Sequence, residues 1–168
     1  MLTARIKIGD GDIVDTRNIF NVEGEDPKSG LVYLDSSKRI GPDLKDFEST
    51  SYPEEEGEYI IPKRVDAPFD YKVKFFIEGE SLQTVNDKIV AFNQMLYTQA
   101  VGSDVKTYKQ VTFYNDHKRH IIVGYPNELA EATEFWKDPS GVLKKDVVVT
   151  EWTIRVTKPS LCTFNNNI

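Results

Sequence analysis

The residue types best suited to chemistry lie close together at Asp116, His117 and His120. Imidazole and carboxylate groups are ordinary ligands of zinc and related metals. Residues three apart on an extended strand point to opposite faces of a sheet, so only a tight turn could bring the two imidazoles together. We therefore expect two solvated histidines in a turn and no metal, with a metal site on these three residues as the less favoured alternative.

The sequence gives even weaker signals for a catalytic nucleophile or a bound cofactor than for a metal site. Cys162, the single cysteine, lies in a polar C-terminal segment with no histidine near it in sequence. This position predicts a solvated or edge-packed thiol rather than a nucleophile. The chain has no GxSxG elbow, phosphate loop or dinucleotide fingerprint, and the acids of residues 9–12 lack the remaining positions of an EF-hand. We expect no enzyme, no catalytic residue and no cofactor.

Composition narrows the class of protein. The chain has 168 residues, and 21 Lys and Arg against 27 Asp and Glu give a net charge of −6. The length favours one domain over residues 1–168. The acidic balance argues against a protein that coats nucleic acid, and the basic side chains of Lys72, Lys74, Lys118 and Arg119 form only two small groups. We expect neither a membrane span nor a signal peptide.

The elements that must position these residues are mostly strands. Apolar and polar residues alternate with the two-residue period of half-buried strands. Strands are predicted over 3–8, 13–14, 31–34, 59–62, 69–78, 106–114, 119–125 and 146–158, with residues 129–136 ambiguous between strand and helix. Turns are predicted at 9–12, 115–117 and 138–141, where Gly, Pro, Asn and Asp cluster.

One segment has helical periodicity instead. Apolar residues recur at helical spacing at Leu82, Val85, Ile89, Phe92 and Leu96. Ser81 is a suitable N-cap and Gly102 lies just beyond the C-terminal end, so we predict an amphipathic helix over 82–98. A parallel sheet would need several crossover helices. The fold class is therefore mainly β (α+β), an antiparallel β-sandwich or barrel with this helix packed on it.

Two segments differ from this pattern. Residues 23–58 combine many acids with Pro and Gly, and they predict a long acidic loop, or an arm that orders against a partner. Much of the net charge lies there. Residues 159–168 predict a polar C-terminal tail.

Several strands carry apolar side chains on both faces. Phe76 opposes the face of Tyr71, and the adjacent Ile121 and Ile122 must point opposite ways. Such strands are covered on both sides, by the helix together with either a second sheet or a neighbouring subunit. An ordinary two-layer core would explain the same pattern. The candidates for an assembly interface are Tyr71, Phe76, Ile122, Tyr125 and Trp136.

The order of elements over residues 52–160 resembles the N-terminal domain of phage distal tail proteins. The resemblance lies in a proline-ended strand at 59–62, the long strand from 69, the helix, the strand–turn–strand of 111–125, and a last strand that reaches Pro159. Two features depart from the family. Residues 63–66 lack the usual glycine-bearing turn, and the sequence ends at Ile168 where many members continue into a second domain.

The resemblance implies a tail-tube-like sandwich and a structural assembly protein of a phage or prophage tail. It implies a ring, expected to be a hexamer, that connects the tail tube to tip, baseplate or fibre proteins. Its partners would be copies of itself and other tail proteins, with DNA passing through the lumen unbound and no membrane. The protein would be made in the bacterial host cytoplasm and located in the virion. The 23–58 segment could then reach a neighbour or line the lumen.

Other interpretations remain open at this point. A tube or terminator subunit would belong to a related class of tail protein. A small-ligand or carbohydrate-binding β-sandwich module is the main alternative, and Tyr125 or Trp136 on a concave face would favour it. An enzyme of unrecognised type is the third.

Overall fold

The computed structural model describes residues 4–20, 30–36, 44, 48–50, 57, 59–61, 66–137 and 146–164. Its strands are β1 (Ala4–Ile8), β2 (Val14–Asp15), β3 (Val32–Ser36), β4 (Glu48–Thr50), β5 (Tyr59–Ile61), β6 (Phe69–Gly79), β7 (Tyr97–Gln99), β8 (Lys106–Tyr108), β9 (Val111–Asn115), β10 (His120–Lys137), β11 (Asp146–Val156) and β12 (Thr163–Phe164). The helix α1 spans Leu82–Met95, and short 3-10 turns span Thr16–Asn18 and Pro159–Leu161.

Eight strands form one antiparallel sheet. Their order is β2-β1-β9-β10-β11-β6-β3, with β12 paired to β10 beside this path. Two small hairpins, β4–β5 and β7–β8, lie outside it. The end strands β2 and β3 do not pair with each other, so the sheet is open. The predicted mainly antiparallel β fold with one helix is confirmed, whereas the closed barrel named beside the sandwich is not formed.

The sheet folds over on itself along β10. Residues 120–124 of this strand pair with β9, and from Tyr125 onward it pairs with β11 instead. As a result Phe113 of β9 packs against Tyr33 of β3 and Tyr71 of β6, with ring centroids 6.1 and 6.2 Å apart. The two halves of one sheet therefore face each other as a sandwich.

The change of partner also explains why Pro126 does not end the strand. We predicted a strand that stops at this proline and an ambiguous segment after it, but β10 continues to Lys137 with register shifts between Pro126 and Glu128 and again further along. A proline cannot donate to a ladder and is tolerated at bulges. Pro126 lies where the ladder to β9 has ended and an irregular ladder to β11 begins.

The helix covers part of the inner face of the sheet. Ser81 accepts a hydrogen bond from the Thr84 N–H and caps the helix, as predicted. Val85, Ile89 and Phe92 are buried, and the Phe92 ring meets Trp152 of β11 edge-on at 5.3 Å. The alternation predicted along 69–78 and 146–158 is also confirmed, because Tyr71, Val73, Phe75 and Ile77 are buried, as are Val148, Trp152, Ile154 and Val156.

The helix ends at Met95 rather than at residue 98. Tyr97–Gln99 instead forms β7, which pairs with Lys106–Tyr108. Tyr and Thr favour extended backbone, and here they have a strand to pair with. Gly102 is therefore not a helix C-cap: it has φ of +77° in the turn of this hairpin. The predicted strand 106–114 is likewise two strands, β8 and β9.

The segments predicted to be irregular contain more structure than expected. Within 23–58, the predicted strand is present as β3, and β4 pairs with β5. Most of that acidic segment lies outside the described residues, as do the turn at 138–141 and the end of the tail at 165–168. The described part of the tail is packed: Pro159 is buried, and the Phe164 ring lies 5.0 Å from that of His120.

Candidate functional site

The turn between β9 and β10 separates the three residues singled out for metal binding. Asp116 and His117 are exposed in the turn, whereas His120 begins β10 with only 2% of its surface exposed. The Asp116 carboxylate accepts hydrogen bonds at 3.1 Å from Nε and 2.9 Å from a terminal nitrogen of the Arg5 guanidinium. The prediction of two solvated histidines is wrong for His120, which pairs across the ladder with the inward-facing Asn115. Among the described residues, no group of three His, Cys, Asp or Glu side chains could hold a metal ion.

His120 belongs to a buried polar cluster that the sequence analysis missed. Its other members are the side chains of Tyr33, Ser36, Tyr71 and Asn115, which come from β3, β6 and β9. The Asn115 amide donates to the hydroxyls of Tyr33 and Ser36 at 2.9 Å each and to that of Tyr71 at 3.2 Å. Both tyrosine hydroxyls also donate to Ser36 Oγ, at 2.9 and 3.0 Å, and the Tyr71 hydroxyl lies 3.3 Å from His120 Nδ1.

This polar cluster fastens the two halves of the sandwich together. Its members lie in both halves of the folded sheet, and the hydrogen bonds of Asn115 with Tyr33 and Tyr71 run between those halves. Burial raises the pKa of Tyr33 and of Tyr71, while hydrogen bonds with Ser36 and Asn115 oppose that rise. Both phenols are therefore neutral at physiological pH. Neutral phenols can donate hydrogen bonds within the cluster, as both do to Ser36 Oγ.

Lys118 extends the same cluster to the surface. Its backbone N–H donates to Asn115 Oδ1 at 3.0 Å, and its ammonium donates to the Ser36 carbonyl at 3.0 Å. The one sequence signal for this site was Asn115 itself, which occupies an inward position after Val111 and Phe113. A polar residue at an apolar position of the alternation indicates a buried hydrogen-bonded site.

Cys162 packs at the edge of the sheet. It follows the Pro159–Leu161 turn, and its Sγ accepts a hydrogen bond from the Val123 N–H at 3.4 Å. Burial raises the pKa of the thiol, and the hydrogen bond from Val123 opposes this rise. A protonated, half-buried thiol is a poor nucleophile. The placement agrees with the edge-packed thiol expected from the sequence.

The residues proposed for an assembly interface fall into three groups. Tyr71 and Ile122 are fully buried within the chain, so neither can contact a partner. Phe76 is half-buried on the outer face of the sheet, and Tyr125 is exposed at the bend of β10. Trp136 lies in β10 opposite Val147, and its side chain is outside the described residues. The alternation correctly separated inward from outward residues of β6, but the inward-facing Tyr71 of β6 and Ile122 of β10 were assigned to the interface.

The outer face around Phe76 combines an apolar row with a charged one. Phe76 lies between Val32 of β3 and Val149 of β11 in the ladder. In the next row the ammonium groups of Lys72 and Lys74 lie 3.5 and 4.0 Å from the Glu151 carboxylate. Exposed pairs of this kind contribute little to stability. They give this face its mixed charge.

The hairpin of β7 and β8, residues 97–108, is the feature of the surface that sequence reasoning did not find. It is braced by the Tyr97 and Tyr108 rings, 5.8 Å apart, and by the Lys106 ammonium 4.7 Å from the Tyr97 centroid. Its tip carries Val101 and Val105, whose exposed fractions are 106% and 70%. Two exposed apolar side chains therefore lie near the tip of an ordered projection.

An apolar groove of about 260 Å³ lies near the base of that hairpin. It is lined by Ile6, Ile8, Val14, Ile19 and Met95, together with Gly11, Asp12 and Lys109. The lining therefore comes from the β1–β2 hairpin, the end of α1 and the residue that follows β8. Its apolar walls suit an aliphatic side chain.

Comparison with known proteins gives a likeness of fold. No protein-family model matches the chain, and no curated protein matches it either. A solved structure does: the crystal structure of the SPP1 Dit protein, described as a paradigm of the hub adsorption apparatus in phages that infect Gram-positive bacteria. The TM-score is 0.50 at 11% sequence identity, and the match covers 93% of this chain and 50% of that one. This chain thus spans about half the length of the Dit protein and shares its backbone architecture.

A separate observation concerns membranes. Among the described residues, no helix is both long enough and apolar enough to cross a bilayer.

Proposed function

We propose that this chain is a structural protein of a phage or prophage tail. The observation that carries the proposal is the backbone similarity to the SPP1 Dit protein over 93% of the chain. The order of elements in the sequence independently resembles that of phage distal tail proteins.

In its finer form the proposal is a ring, expected to be a hexamer, that joins the tail tube to tip, baseplate or fibre proteins. The open sheet supports this form because its end strands β2 and β3 each have one ladder partner among the described strands. Free strand edges and exposed apolar side chains are the usual elements of subunit contacts. Tyr125, Phe135 and Leu161 are exposed in this way.

The proposed role is not enzymatic. The chemically capable residues already serve the fold: Asp116 holds Arg5, His120 packs in the polar cluster, and Cys162 is a protonated edge thiol. In the assembled tail, DNA would pass through the ring without being bound. The chain has a net charge of −6, and an acidic lining of the ring would repel the phosphate backbone. The protein would be made in the host cytoplasm and located in the virion.

The test is assembly of the purified full chain. Light scattering and negative-stain electron microscopy, at protein concentrations up to about 1 mM, should show closed rings of six copies with an open centre. A monomer at every concentration, together with saturable binding to an oligosaccharide array that is lost in Tyr125→Ala, would contradict the ring and favour the ligand-binding alternative.

A further inference from the structure

We infer that the tip of the β7–β8 hairpin of one copy docks into the apolar groove of a second copy. The inference rests on the proposed function and deepens it, because it names the contact that would join neighbours in the ring. The occupant is a second copy of this chain, and the contacting residues are Val101 and Val105.

The hairpin is an ordered projection rather than a loose loop. At the base of the hairpin, the Lys109 N–H donates to the carbonyl of the buried Leu96 at 2.8 Å. Near the tip, the Gln99 amide donates to the Ser103 carbonyl at 2.6 Å, and Val105 N–H donates to Ser103 Oγ at 3.1 Å. A pre-ordered tip loses little conformational entropy on binding, which favours its use as a contact.

The groove of the same copy cannot receive this tip. Met95 and Lys109 line the groove, and they lie just outside the two ends of the hairpin. Val101 is four residues beyond Tyr97, and at 3.3 Å per residue the tip extends about 13 Å from that base. An exposed fraction of 106% also shows that Val101 touches no side chain of its own copy. An occupant of this kind must come from another molecule.

Tip and groove are complementary in polarity and in charge. The valines of the tip match the aliphatic walls formed by Ile8, Val14 and Met95. The tip also carries an acid, Asp104, and the groove offers the basic side chain of Lys109. A copy docked with these opposite charges side by side would gain specificity of register.

The geometry of this contact determines the symmetry of the assembly. The tip and the groove are different surfaces of one chain, so the contact is head-to-tail. Such contacts close into rings when the rotation between neighbours divides a full turn, and otherwise give open filaments. One hairpin and one groove per copy are therefore sufficient to build the proposed ring.

Crosslinking between differently tagged copies tests the inference. One variant carries Val101→Cys and the other Ile13→Cys, an exposed residue between the groove residues Asp12 and Val14. Both variants are made in a Cys162→Ser background and treated with a short bis-maleimide. The matched control replaces Val101→Cys by Val90→Cys, which is exposed on the helix at 53%. Docking should raise the heterodimer yield about tenfold over the control pair, because it holds the two thiols at high effective concentration.

The outcomes separate this inference from the ring itself. Rings in the microscope with no excess of the heterodimer would overturn the hairpin contact and leave the proposed function standing. Excess heterodimer without rings would support the contact and overturn the ring. Neither result at concentrations up to about 1 mM would overturn both. The two together would support both.

Discussion

At the level of single residues, the structure separates the candidate metal ligands and places one of them, His120, in a buried hydrogen-bonded cluster. The polar side chains that meet inside the sandwich are Tyr33, Ser36, Tyr71, Asn115 and His120. Buried polar groups that satisfy one another rigidify a core, while removal of one member leaves the others unpaired at a cost. The Asn115 side chain bonds three of the other members and also accepts from the Lys118 N–H, so its loss should have the largest effect.

The first prediction follows from that position. Asn115→Ala should lower the free energy of unfolding by about 2–4 kcal/mol, because it leaves buried hydroxyls without a hydrogen-bond partner and creates a cavity. Urea unfolding followed by circular dichroism measures the change. Asn127→Ala is the matched control, since the amide of Asn127 makes an exposed hydrogen bond with Asp70 at 3.3 Å. Equal stability of the two variants would show that the polar cluster contributes little.

The second prediction concerns alkaline pH. Burial raises the pKa of Tyr33 and Tyr71 above their ordinary value of 10.0. Above that value the unfolded chain has released phenol protons that the folded chain still holds, so stability must fall as pH rises from about 10 towards the folded pKa. The raised pKa of Cys162 acts in the same direction.

Urea midpoints measured from about pH 8 to about pH 11 would show this loss. Tyr71→Phe should flatten the alkaline slope because it removes one of the two buried phenols. Tyr125→Phe, at an exposed position, should leave the slope unchanged. Identical slopes in the two variants would argue against buried phenols as the cause.

At the level of elements, β10 decides the architecture because one strand belongs to both halves of the sheet. Gly124 lies where its partner changes from β9 to β11. A Cβ at this position would lie 2.4 Å from the Arg155 carbonyl oxygen and 2.8 Å from a methyl group of Ile154. The close approach of the two backbones at the bend therefore requires glycine.

The third prediction tests that bend. Gly124→Ala should destabilise the fold by about 2–4 kcal/mol, because the added methyl group must displace the backbone of β11. Thermal unfolding measures the effect. Tyr125→Ala, one residue along and exposed, should change the stability by about 0.5 kcal/mol or less. A Gly124→Ala protein as stable as the control would mean that the two strands can separate without cost.

Removal of the Ser81 cap at the start of the helix should lower the stability of the fold by a smaller amount. Ser81 Oγ accepts from the Thr84 N–H at 3.3 Å. Ser81→Ala should cost about 1 kcal/mol, since it leaves that N–H without its cap. Ser103→Ala in the exposed hairpin tip is a suitable comparison in the same thermal assay. It should leave the helix and the global melting temperature nearly unchanged, and an equal loss in both variants would contradict a specific capping effect.

At the level of the whole molecule, the apolar hairpin tip should matter for assembly and not for folding. The double variant Val101→Asp with Val105→Asp should keep the thermal stability of the parent, because both side chains are exposed. It should also lower the mass measured by light scattering, since it replaces the two apolar side chains that would fill the groove by charged ones that are costly to bury. Val90→Asp, on the exposed face of α1, is the control for added charge. Loss of assembly in both variants would indicate a general effect of charge.

The sequence alone determined the local elements of this protein. The alternation along 69–78 and 146–158 defined two buried strands, and the spacing from Leu82 to Leu96 defined the helix. These patterns are readable because they arise from geometry within one element, the two-residue pleat and the helical turn. These patterns, together with the scarcity of predicted helices, were enough to predict a mainly antiparallel β fold. The order of elements also resembled that of phage distal tail proteins, and the backbone is similar to that of the SPP1 Dit protein.

Only the tertiary structure decided where those elements meet. The polar cluster joins Asn115 to residues 44, 79 and 82 positions away, and no local pattern records contacts over such distances. For the same reason, the burial of His120 was missed and the inward-facing Tyr71 was assigned to an interface. The path of β10 through Pro126 and the hairpin at 97–108 depended on which strand was available as a partner. Pairing between distant strands is a property of the folded chain, and it overrides the local preferences of a proline or of a helix end.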